Sequence, residues 1–222
     1  MEISTNNLLS LDNTIAKDLF CNVEMPWQVL SNISDFILNL GKKLPKEIYE
    51  EIKEGIWVAK SAKISKTAFI NGPLIIDENA EIRHFAYIRG NAIVGKNAVV
   101  GNSTELKNAV LFDKVQVPHY NYVGDSILGY KVHFGAGSIT SNVKSDKSII
   151  KISYNGERID TGLKKFGAIV GDNVEIGCNA VLNPGTIIGK NSNIYPLTSV
   201  RGFIKPHSIY KSSSAIVSKV EK

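Results

Sequence analysis

The chain has 222 residues, is 43% hydrophobic and carries 26 Lys and Arg against 21 Asp and Glu, a formal charge of +5. This composition allows one domain with a substantial core. The charges form no block of like residues that would suggest a nucleic-acid partner, and no apolar run reaches the ~20 residues that span a bilayer. The N-terminus lacks the basic and apolar stretches of a secretion signal, so we expect a cytoplasmic protein.

The first 55 residues predict a helical cap. Pro26 suits a helix start, and Gly41 suits a helix end. Pro45 opens a second predicted helix, over 45–55. We expect both helices to cover the first edge of the domain that follows, because an open sheet edge invites aggregation. The apolar stripe at helical spacing in the first helix is Leu30, Ile33, Ile37 and Leu40.

Apolar residues recur at every sixth position from Val58 onwards. A period of six fits neither a helix nor one long alternating strand. It fits a solenoid in which six residues form one side and three sides make a triangular coil. The sequence therefore predicts a mainly β protein, with a parallel β-helix over 56–211. The recurring residues are Val58, Ile64, Ile70, Ile76, Ile82, Ile88, Val94, Val100, Leu106, Phe112 and Pro118, and then Leu128, Phe134, Thr140, Val170, Ile176, Leu182, Ile188, Ile194 and Val200.

The repeat lapses between about 143 and 165, where the sequence predicts an inserted β-hairpin. Asn155-Gly156 is a strong signal for a two-residue hairpin turn. Insertions in solenoids often carry binding function, and the alternative is a loop without a role. The last stretch, 212–222, is predicted to be a partly ordered tail.

Two stacked cations and a histidine are the first candidate site residues. Arg89 and Lys107 are eighteen residues apart, one full coil, and a bound phosphate would relieve their repulsion. The alternative is that Glu105 neutralises Lys107 as a simple surface pair. His119 lies where the first run of repeats breaks, and its imidazole suits proton transfer near neutral pH, although such a histidine can also be structural. These residues predict that one small anion contacts Arg89, Lys107 and His119.

The stretch 89–200 resembles the acetyltransferase domain of the bifunctional bacterial N-acetylglucosamine-1-phosphate uridyltransferases. It is still more similar to the acetyltransferase half of archaeal sugar-1-phosphate nucleotidylyltransferases. The motifs that carry the resemblance, in order and at matching spacing, are IRG, GNSTELKNA, HYNYVGDSILG, FGAGSITSN and KKFGAIVGDNVEIG. They cover about half of the chain.

The resemblance implies a left-handed coil and a homotrimer with its sites between subunits. It implies an acetyl-CoA-dependent N-acetyltransferase that acts on a hexosamine-1-phosphate, without a metal, on the route to nucleotide sugars such as UDP-N-acetylglucosamine. Glucosamine-1-phosphate is the first choice of acceptor and galactosamine-1-phosphate the second.

The resemblance also implies a role for individual residues. His119 would be the general base that deprotonates the amine, and the backbone N–H of Ala136 would bind the oxyanion. The residues that would hold the amino-sugar phosphate are Arg89, Glu105, Lys107, Tyr122, Asn142, Lys147 and Lys151. The residues that would contact coenzyme A are Ala136, Cys178, Ser192, Arg201 and Lys211.

Three residues depart from the family pattern. His133, Val143 and Ser148 stand where the family has an asparagine, a tyrosine-like residue and a lysine. They leave open a non-catalytic or regulatory solenoid that binds a nucleotide sugar. No glycine-rich nucleotide loop follows a strand, and about sixty N-terminal residues are too few for a nucleotide-binding domain. We therefore expect uridylyl transfer to come from a separate protein.

A zinc enzyme of the carbonic-anhydrase type, which uses the same fold, is disfavoured. Such an enzyme needs three imidazoles on one metal, whereas His119 and His133 are fourteen residues apart, neither a small step nor a full coil. Cys21 and Cys178 match no metal-ligand or redox spacing, and we expect them to be buried thiols in a reducing compartment.

Overall fold

Short strands wind into a left-handed parallel β-helix in the computed structural model, which describes residues 1–219. All of the helices that it describes precede the strands. They are the α-helices α1 (Thr5–Leu8) and α2 (Ile33–Gly41) and the 3-10 helices Leu11–Asn13, Lys17–Phe20 and Pro26–Val29. Among the described residues, no helix has both the length and the apolar character needed to cross a membrane.

The strands are numbered in chain order. They are β1 (Tyr49–Lys53), β2 (Ile56–Ala59), β3 (Lys63–Ile64), β4 (Phe69–Ile70), β5 (Leu74–Ile76), β6 (Glu81–Ile82), β7 (Tyr87–Ile88), β8 (Ala92–Val94), β9 (Val99–Asn102), β10 (Glu105–Leu111), β11 (Gln116–His119), β12 (Tyr122–Leu128), β13 (His133–Phe134), β14 (Ile139–Thr140), β15 (Lys151–Tyr154), β16 (Glu157–Asp160), β17 (Ala168–Val170), β18 (Glu175–Ile176), β19 (Val181–Leu182), β20 (Thr186–Ile188), β21 (Asn193–Ile194), β22 (Ser199–Val200), β23 (Phe203–Ile204), β24 (Ser208–Ser212) and β25 (Ala215–Ser218).

Three faces form the predicted triangular coil. The first face contains β2, β5, β8, β17, β20 and β23, the second β3, β6, β9, β11, β13, β18, β21 and β24, and the third β4, β7, β14, β19 and β22. The long strands β10 and β12 start on the third face and continue onto the first, so these two faces share one hydrogen-bonded sheet. The predicted parallel β-helix is confirmed.

The inward stack is shifted by one residue where β10 passes through a corner. Leu111 pairs with Val94, seventeen residues earlier, whereas most coils take eighteen. Because this coil is shorter, Leu111 and Val117 occupy the inward positions. The predicted inward residues Phe112 and Pro118 are each displaced by one position, although both are buried.

The second predicted helix is wrong, because residues 49–53 form β1. This strand pairs antiparallel with β2 through a turn in which Gly55 has a φ of 72°, a conformation that favours glycine. The hydroxyl of Tyr49 donates a hydrogen bond to Asp77. Strand β1 therefore covers the first edge of the sheet, which was the role predicted for the helices.

The N-terminal segment instead covers the outer side of the first face. The outward residues of successive strands on this face are apolar and fully buried: Ile75, Ile93, Val110, Ile127, Ile169 and Ile187. Helix α2 packs on β5, β8 and β10, and the ring of Trp27 stacks on Phe166 at 6.1 Å between ring centroids. The first face is therefore packed on both sides.

The predicted hairpin is confirmed. Strands β15 and β16 pair antiparallel around Asn155 and Gly156, whose φ values are 49° and 81°. The hairpin folds back on the later coils, because Ile152 is buried and the Tyr154 ring lies 5.4 Å from that of Phe203. In the predicted tail, β25 pairs antiparallel with β24, while residues 220–222 lie outside the described residues.

Candidate active site

His119, Ala136 and Cys178 occupy equivalent positions on successive coils, at the start of the corner that joins the second face to the third. The Gly137 N–H donates to the carbonyl of His119 at 3.0 Å, and the Asn179 N–H donates to the carbonyl of Ala136 at 2.8 Å. The three residues that the resemblance assigned to catalysis and to coenzyme A therefore form one column along the solenoid.

Asn121 holds this corner together, and it was not predicted as a site residue. Its side chain is buried; Oδ1 accepts the His119 N–H at 3.1 Å, and Nδ2 donates to the carbonyl of Gly135 at 2.9 Å. The coil of His119 is thereby fixed to the coil of Ala136. The His119 imidazole is exposed and makes no hydrogen bond or ion pair within residues 1–219, so it is free to accept a proton.

The backbone of Ala136 is suited to bind an oxyanion. Within the described part of the chain, its N–H has no hydrogen-bond acceptor, and the residue is half-buried. The next residue, Gly137, has a φ of 73°, and a side chain there would collide with that of Asn179. A glycine is therefore needed to keep this turn, which leaves one N–H unused at the surface.

A polar cluster around the third face consists of Arg89, Glu105, Lys107, Tyr122, Asp125 and Asn142. Its charge pairing matches neither an unpaired Arg89–Lys107 stack nor a Glu105–Lys107 pair. Arg89 pairs with Glu105 at 2.8 Å, while Lys107 pairs with Asp125 at 3.3 Å. The hydrogen bond to Glu105 raises the pKa of the Arg89 guanidinium above its usual value. Glu105 therefore neutralises Arg89 rather than Lys107, and each cation of the predicted stack has its own carboxylate.

Asp125 organises this cluster, and sequence reasoning missed it. Its side chain is buried, with a residue exposure of only 5%. It accepts hydrogen bonds from Asn108 Nδ2 at 3.0 Å and from the side chains of Lys107 and Asn142. A signal was present in the sequence, since Asp125 interrupts a strand-like segment eighteen residues after Lys107.

Tyr122 lies beside Asp125 and points along the same surface. Asn142 Nδ2 donates to the Tyr122 hydroxyl at 3.3 Å. Burial, and then the charges of Asp125 and Glu105, raises the pKa of the Tyr122 phenol, so it stays protonated at neutral pH. Its side chain lies over Gly124, where a Cβ atom would be 2.5 Å from the hydroxyl oxygen.

The column of His119, Ala136 and Cys178 and the polar cluster lie on different faces of one chain. Between His119 and Tyr122 the chain turns the corner through Tyr120, which is 63% exposed and has a φ of 52°. Within a single chain, the structure therefore does not bring His119 into contact with the Arg89 and Lys107 side chains. The predicted convergence of the three on one anion is not met by one chain alone.

The predicted lysines of the hairpin region, Lys147 and Lys151, belong to neither the column nor the polar cluster. Lys151 on β15 is 3.9 Å from Asp160, and Lys147 is exposed in the preceding turn. Arg201 Nη2 donates to Asn183 Oδ1 at 3.0 Å. Lys151 and Arg201, which the resemblance assigned to different ligands, line one cavity of about 580 Å³.

Ser192 is not placed to contact a ligand through its side chain. It is fully buried, and its hydroxyl donates to the Lys205 carbonyl at 3.0 Å and accepts from the Ser208 N–H at 3.1 Å. This hydroxyl closes a corner and is engaged within the chain, so the coenzyme contact predicted for Ser192, which stays a prediction, would have to use its backbone. Lys211 is exposed, with its ammonium 5.7 Å from the centre of the Tyr195 ring.

The two thiols differ in setting from the prediction. Cys21 and Cys178 are both exposed, so the prediction of buried thiols is wrong. His133 Nδ1 lies 2.8 Å from Glu175 Oε2 on the second face. Within residues 1–219, no group of three or more His, Cys, Asp or Glu side chains has an arrangement that could hold a metal ion.

The fold and the repeats define a hexapeptide-repeat β-helix protein. Residues 167–202 match the family described as bacterial transferase hexapeptide (six repeats), and residues 70–160 match the GMPPB C-terminal domain. The predicted resemblance to hexapeptide proteins is confirmed.

Two curated relatives from archaea are similar to this chain. The "Bifunctional protein GlmU" of Methanococcus vannielii is 33% identical over 207 residues, which cover 89% of this chain and 48% of the relative. The "Bifunctional sugar-1-phosphate nucleotidylyltransferase/acetyltransferase" of Sulfurisphaera tokodaii is 39% identical over 94 residues, 42% of this chain and 23% of the relative. The chain thus spans at most about half the length of these two relatives.

Among solved structures, the acetyltransferase domain of PglB from Neisseria gonorrhoeae, in complex with acetyl coenzyme A, is 14% identical to this chain. The match covers 86% of this chain and 63% of that one, with a TM-score of 0.33.

Proposed function

We propose that the protein is an acetyl-CoA-dependent N-acetyltransferase that acts on a hexosamine-1-phosphate, with glucosamine-1-phosphate as the first choice and galactosamine-1-phosphate as the second. The observation that carries this proposal is the column in which the exposed His119 imidazole stacks one coil from the unused Ala136 N–H. The similarity to a curated protein named as a bifunctional sugar-1-phosphate nucleotidylyltransferase/acetyltransferase supports acetyl transfer.

The column supplies the two groups that acetyl transfer to an amine requires. The His119 imidazole removes a proton from the attacking ammonium, because the protonated amine has no lone pair. The neutral amine attacks the thioester carbon, and the Ala136 N–H stabilises the oxyanion of the tetrahedral intermediate. Collapse expels the coenzyme A thiolate, which takes up the proton from His119, and the nitrogen of the new amide loses its extra proton to solvent. Coenzyme A extends past Cys178 towards Lys211 on the later coils.

The amino-sugar phosphate binds at the polar cluster. Arg89 and Lys107 bind its phosphate, and Tyr122, Asn142 and Glu105 hydrogen bond to its hydroxyl groups. No metal takes part. Because this cluster lies across the corner from His119 in one chain, we propose a homotrimer in which the third face of one subunit meets the catalytic column of the next.

Thiol release from acetyl-CoA tests the proposal with a panel of hexosamine phosphates. His119→Ala lowers kcat about 100-fold or more and leaves coenzyme A binding unchanged. His84→Ala is the matched control, because His84 lies two coils away in the same column, where its carbonyl accepts from Asn102 Nδ2 at 3.1 Å. Its turnover stays at the wild-type level. Equal activity in the His119 variant removes it from the mechanism, and ligand binding without turnover in the wild type favours the non-catalytic solenoid.

Mixed trimers test the assembly. His119→Ala and Lys107→Ala proteins are each expected to be nearly inactive, and unfolding and refolding them together restores part of the activity, since some sites then receive both wild-type residues. Analytical ultracentrifugation gives the subunit number directly. A fully active monomer, or mixtures no more active than the separate variants, would contradict a site shared between subunits.

A further inference from the structure

Asn108 joins the N-terminal segment to the carboxylate at the centre of the polar cluster. Its Nδ2 donates one hydrogen bond to the carbonyl of Leu30 and one to Asp125 Oδ1, each at 3.0 Å. An amide nitrogen carries two hydrogens, so both are used. Leu30 directly follows the 3-10 helix Pro26–Val29, and a helix end leaves carbonyls without a partner inside the helix. Asn108 was not predicted as a site residue.

The backbone of the coil brings Asn108 and Asp125 together. They occupy equivalent positions on adjacent coils, in the corner that β10 and β12 pass through between the third and first faces. Both have a φ of 49°, in the left-handed region that asparagine and aspartate enter more readily than most residues. The contact between the two side chains therefore follows from the geometry of the corner.

The hydrogen bond from Asn108 limits how Asp125 holds Lys107. The Asn108 nitrogen must face its two acceptors, because a turned amide would direct its oxygen at a carbonyl and a carboxylate. Asp125 Oδ1 is thereby engaged, and only Oδ2 contacts the side chains of Lys107 and Asn142. A carboxylate free to turn would offer both oxygens to Lys107 and would compete more strongly with a ligand phosphate.

A second route connects the same helix to the same part of the cluster. Trp27, in the helix Pro26–Val29, stacks on Phe166. The Phe166 N–H donates to the carbonyl of Asn142 at 2.9 Å, and the N–H of the next residue, Gly167, donates to the carbonyl of Asp125 at 2.8 Å. Residues 26–30 therefore reach Asp125 through a side chain and also through the backbone that follows the hairpin.

We infer that Asn108 is a positioning residue for the acceptor, which ties residues 26–30 to Asp125 and so keeps Lys107 and Asn142 arranged for the amino-sugar phosphate. This rests on the proposed function, in which Lys107 and Asn142 bind the acceptor. It gives the N-terminal segment a part in acceptor binding, besides covering the first face. Because coupling between two sites is reciprocal, an acceptor bound at the cluster also holds residues 26–30 more firmly.

Steady-state kinetics of Asn108→Gly test the positioning role. Glycine adopts a φ of 49° freely, so this change removes the amide and keeps the corner. The KM for glucosamine-1-phosphate rises about tenfold, whereas kcat and the KM for acetyl-CoA stay unchanged, because the column of His119 lies across a different corner.

Asn91→Gly is the matched control. Asn91 occupies the equivalent corner position one coil earlier, with a φ of 52°. Its side chain makes no hydrogen bond within residues 1–219. The two variants share the general cost of introducing a glycine, and Asn91→Gly keeps the wild-type KM for glucosamine-1-phosphate.

Hydrogen exchange measured by mass spectrometry tests the connection without turnover. In the ligand-free protein, the amides of residues 27–32 exchange faster in Asn108→Gly than in the wild type or Asn91→Gly. Glucosamine-1-phosphate slows the exchange of these amides in the wild type and in Asn91→Gly. It leaves their exchange unchanged in Asn108→Gly, since the side chain that connects the two sites is missing.

The kinetic and exchange results separate this inference from the proposed function. Equal KM values for glucosamine-1-phosphate in the two glycine variants, with lower stability in urea for Asn108→Gly alone, would make Asn108 a structural residue and overturn its positioning role. If the wild type transfers no acetyl group while glucosamine-1-phosphate still slows exchange at residues 27–32, the proposed function fails and the connection stands. Without transfer and without any effect of the ligand on exchange, both are overturned.

Discussion

The ammonium of Lys107 lies 3.3 Å from the carboxylate of Asp125, a residue on the following coil. The stack of Arg89 and Lys107 suggested two cations that only a ligand could neutralise. Instead the structure gives Arg89 to Glu105 and Lys107 to Asp125. A phosphate that binds here therefore competes with protein carboxylates, and the Lys107 pair matters more for stability because Asp125 is buried.

Replacing Asp125 by Asn is expected to destabilise the protein by roughly 2–3 kcal/mol. The change leaves Lys107 without a counter-charge, and the loss stays below that for a fully buried pair because the Lys107 side chain keeps 26% exposure. Urea unfolding measures the free energy. The matched control is Glu105→Gln in the more exposed pair with Arg89, which costs less than ~1 kcal/mol. Equal losses in the two variants would show that Asp125 has no special place in the cluster.

Gly124→Ala is expected to move the Tyr122 side chain without unfolding the coil. The added methyl group would lie 2.5 Å from the Tyr122 hydroxyl oxygen, and the free end of the tyrosine can yield more easily than the sheet. Acceptor KM in the thiol-release assay therefore rises about tenfold, while the KM for acetyl-CoA is unchanged.

Tyr122→Phe is the companion variant, since it keeps the ring and removes the hydroxyl that accepts from Asn142. If the hydroxyl is what the acceptor needs, the two variants show similar acceptor KM values. An unchanged acceptor KM in both would place the sugar away from this tyrosine.

The repeat made the coil predictable, because its period of six is set by the three-sided geometry. The same period located Arg89 and Lys107 on adjacent coils, and Asn155-Gly156 located the hairpin turn. These features depend on residues close in sequence or related by a constant step. The one-residue shift at Leu111 could not be read from the same pattern, because Phe112 is equally apolar and also buried.

What the sequence did not reveal depends on contacts between distant segments. Residues 45–55 carry a helical pattern, yet the partners of β1 are the next strand and Asp77, and this pairing outweighs helix propensity. The apolar outward positions of the first face, such as Ile75 and Ile93, did repeat with the coil and were a usable signal of a covering segment. Charge pairing at Glu105 was ambiguous, because Lys107 lies two residues later on the same strand and Arg89 lies on the preceding coil.

Stability is expected to fall as pH rises through the pKa of Asp77. This carboxyl is fully buried, its Oδ2 has no hydrogen-bond partner among the described residues, and burial raises its pKa above the ordinary value of 3.8. Between the unfolded and folded pKa values the folded state holds a proton that the unfolded chain has lost, so folding becomes less favourable as pH increases. Below this window the buried carboxyl carries no such penalty.

The difference in the free energy of unfolding between wild type and Asp77→Asn isolates the contribution of the Asp77 carboxyl. The asparagine keeps an oxygen acceptor for the Tyr49 hydroxyl and cannot ionise, so the wild type loses stability relative to the variant from about pH 4 upwards. Urea unfolding of both proteins from pH 4 to 8 measures this relative loss of stability. The comparison is needed because burial also raises the pKa of Asp113. Parallel stability curves for the two proteins would contradict the assignment.

Trp27 is expected to be the main attachment of the N-terminal segment to the coil. Its side chain is buried and stacks on Phe166, which follows the hairpin, so one ring joins two parts of the chain that are far apart in sequence. Trp27→Ala is expected to cost about 3–5 kcal/mol, as for other large aromatic truncations in a core. Urea unfolding followed by far-ultraviolet circular dichroism measures the loss.

Phe85→Ala serves as the control, since this ring is 64% exposed and its removal costs little. Removal of the Trp27 ring also uncovers part of the apolar row that includes Val110 and Ile127, so the variant binds a hydrophobic dye more strongly than the wild type. A small stability loss with no added dye binding would mean that the segment is held by its polar contacts, such as that of Ser10 with Asp172 at 2.6 Å, rather than by its apolar face.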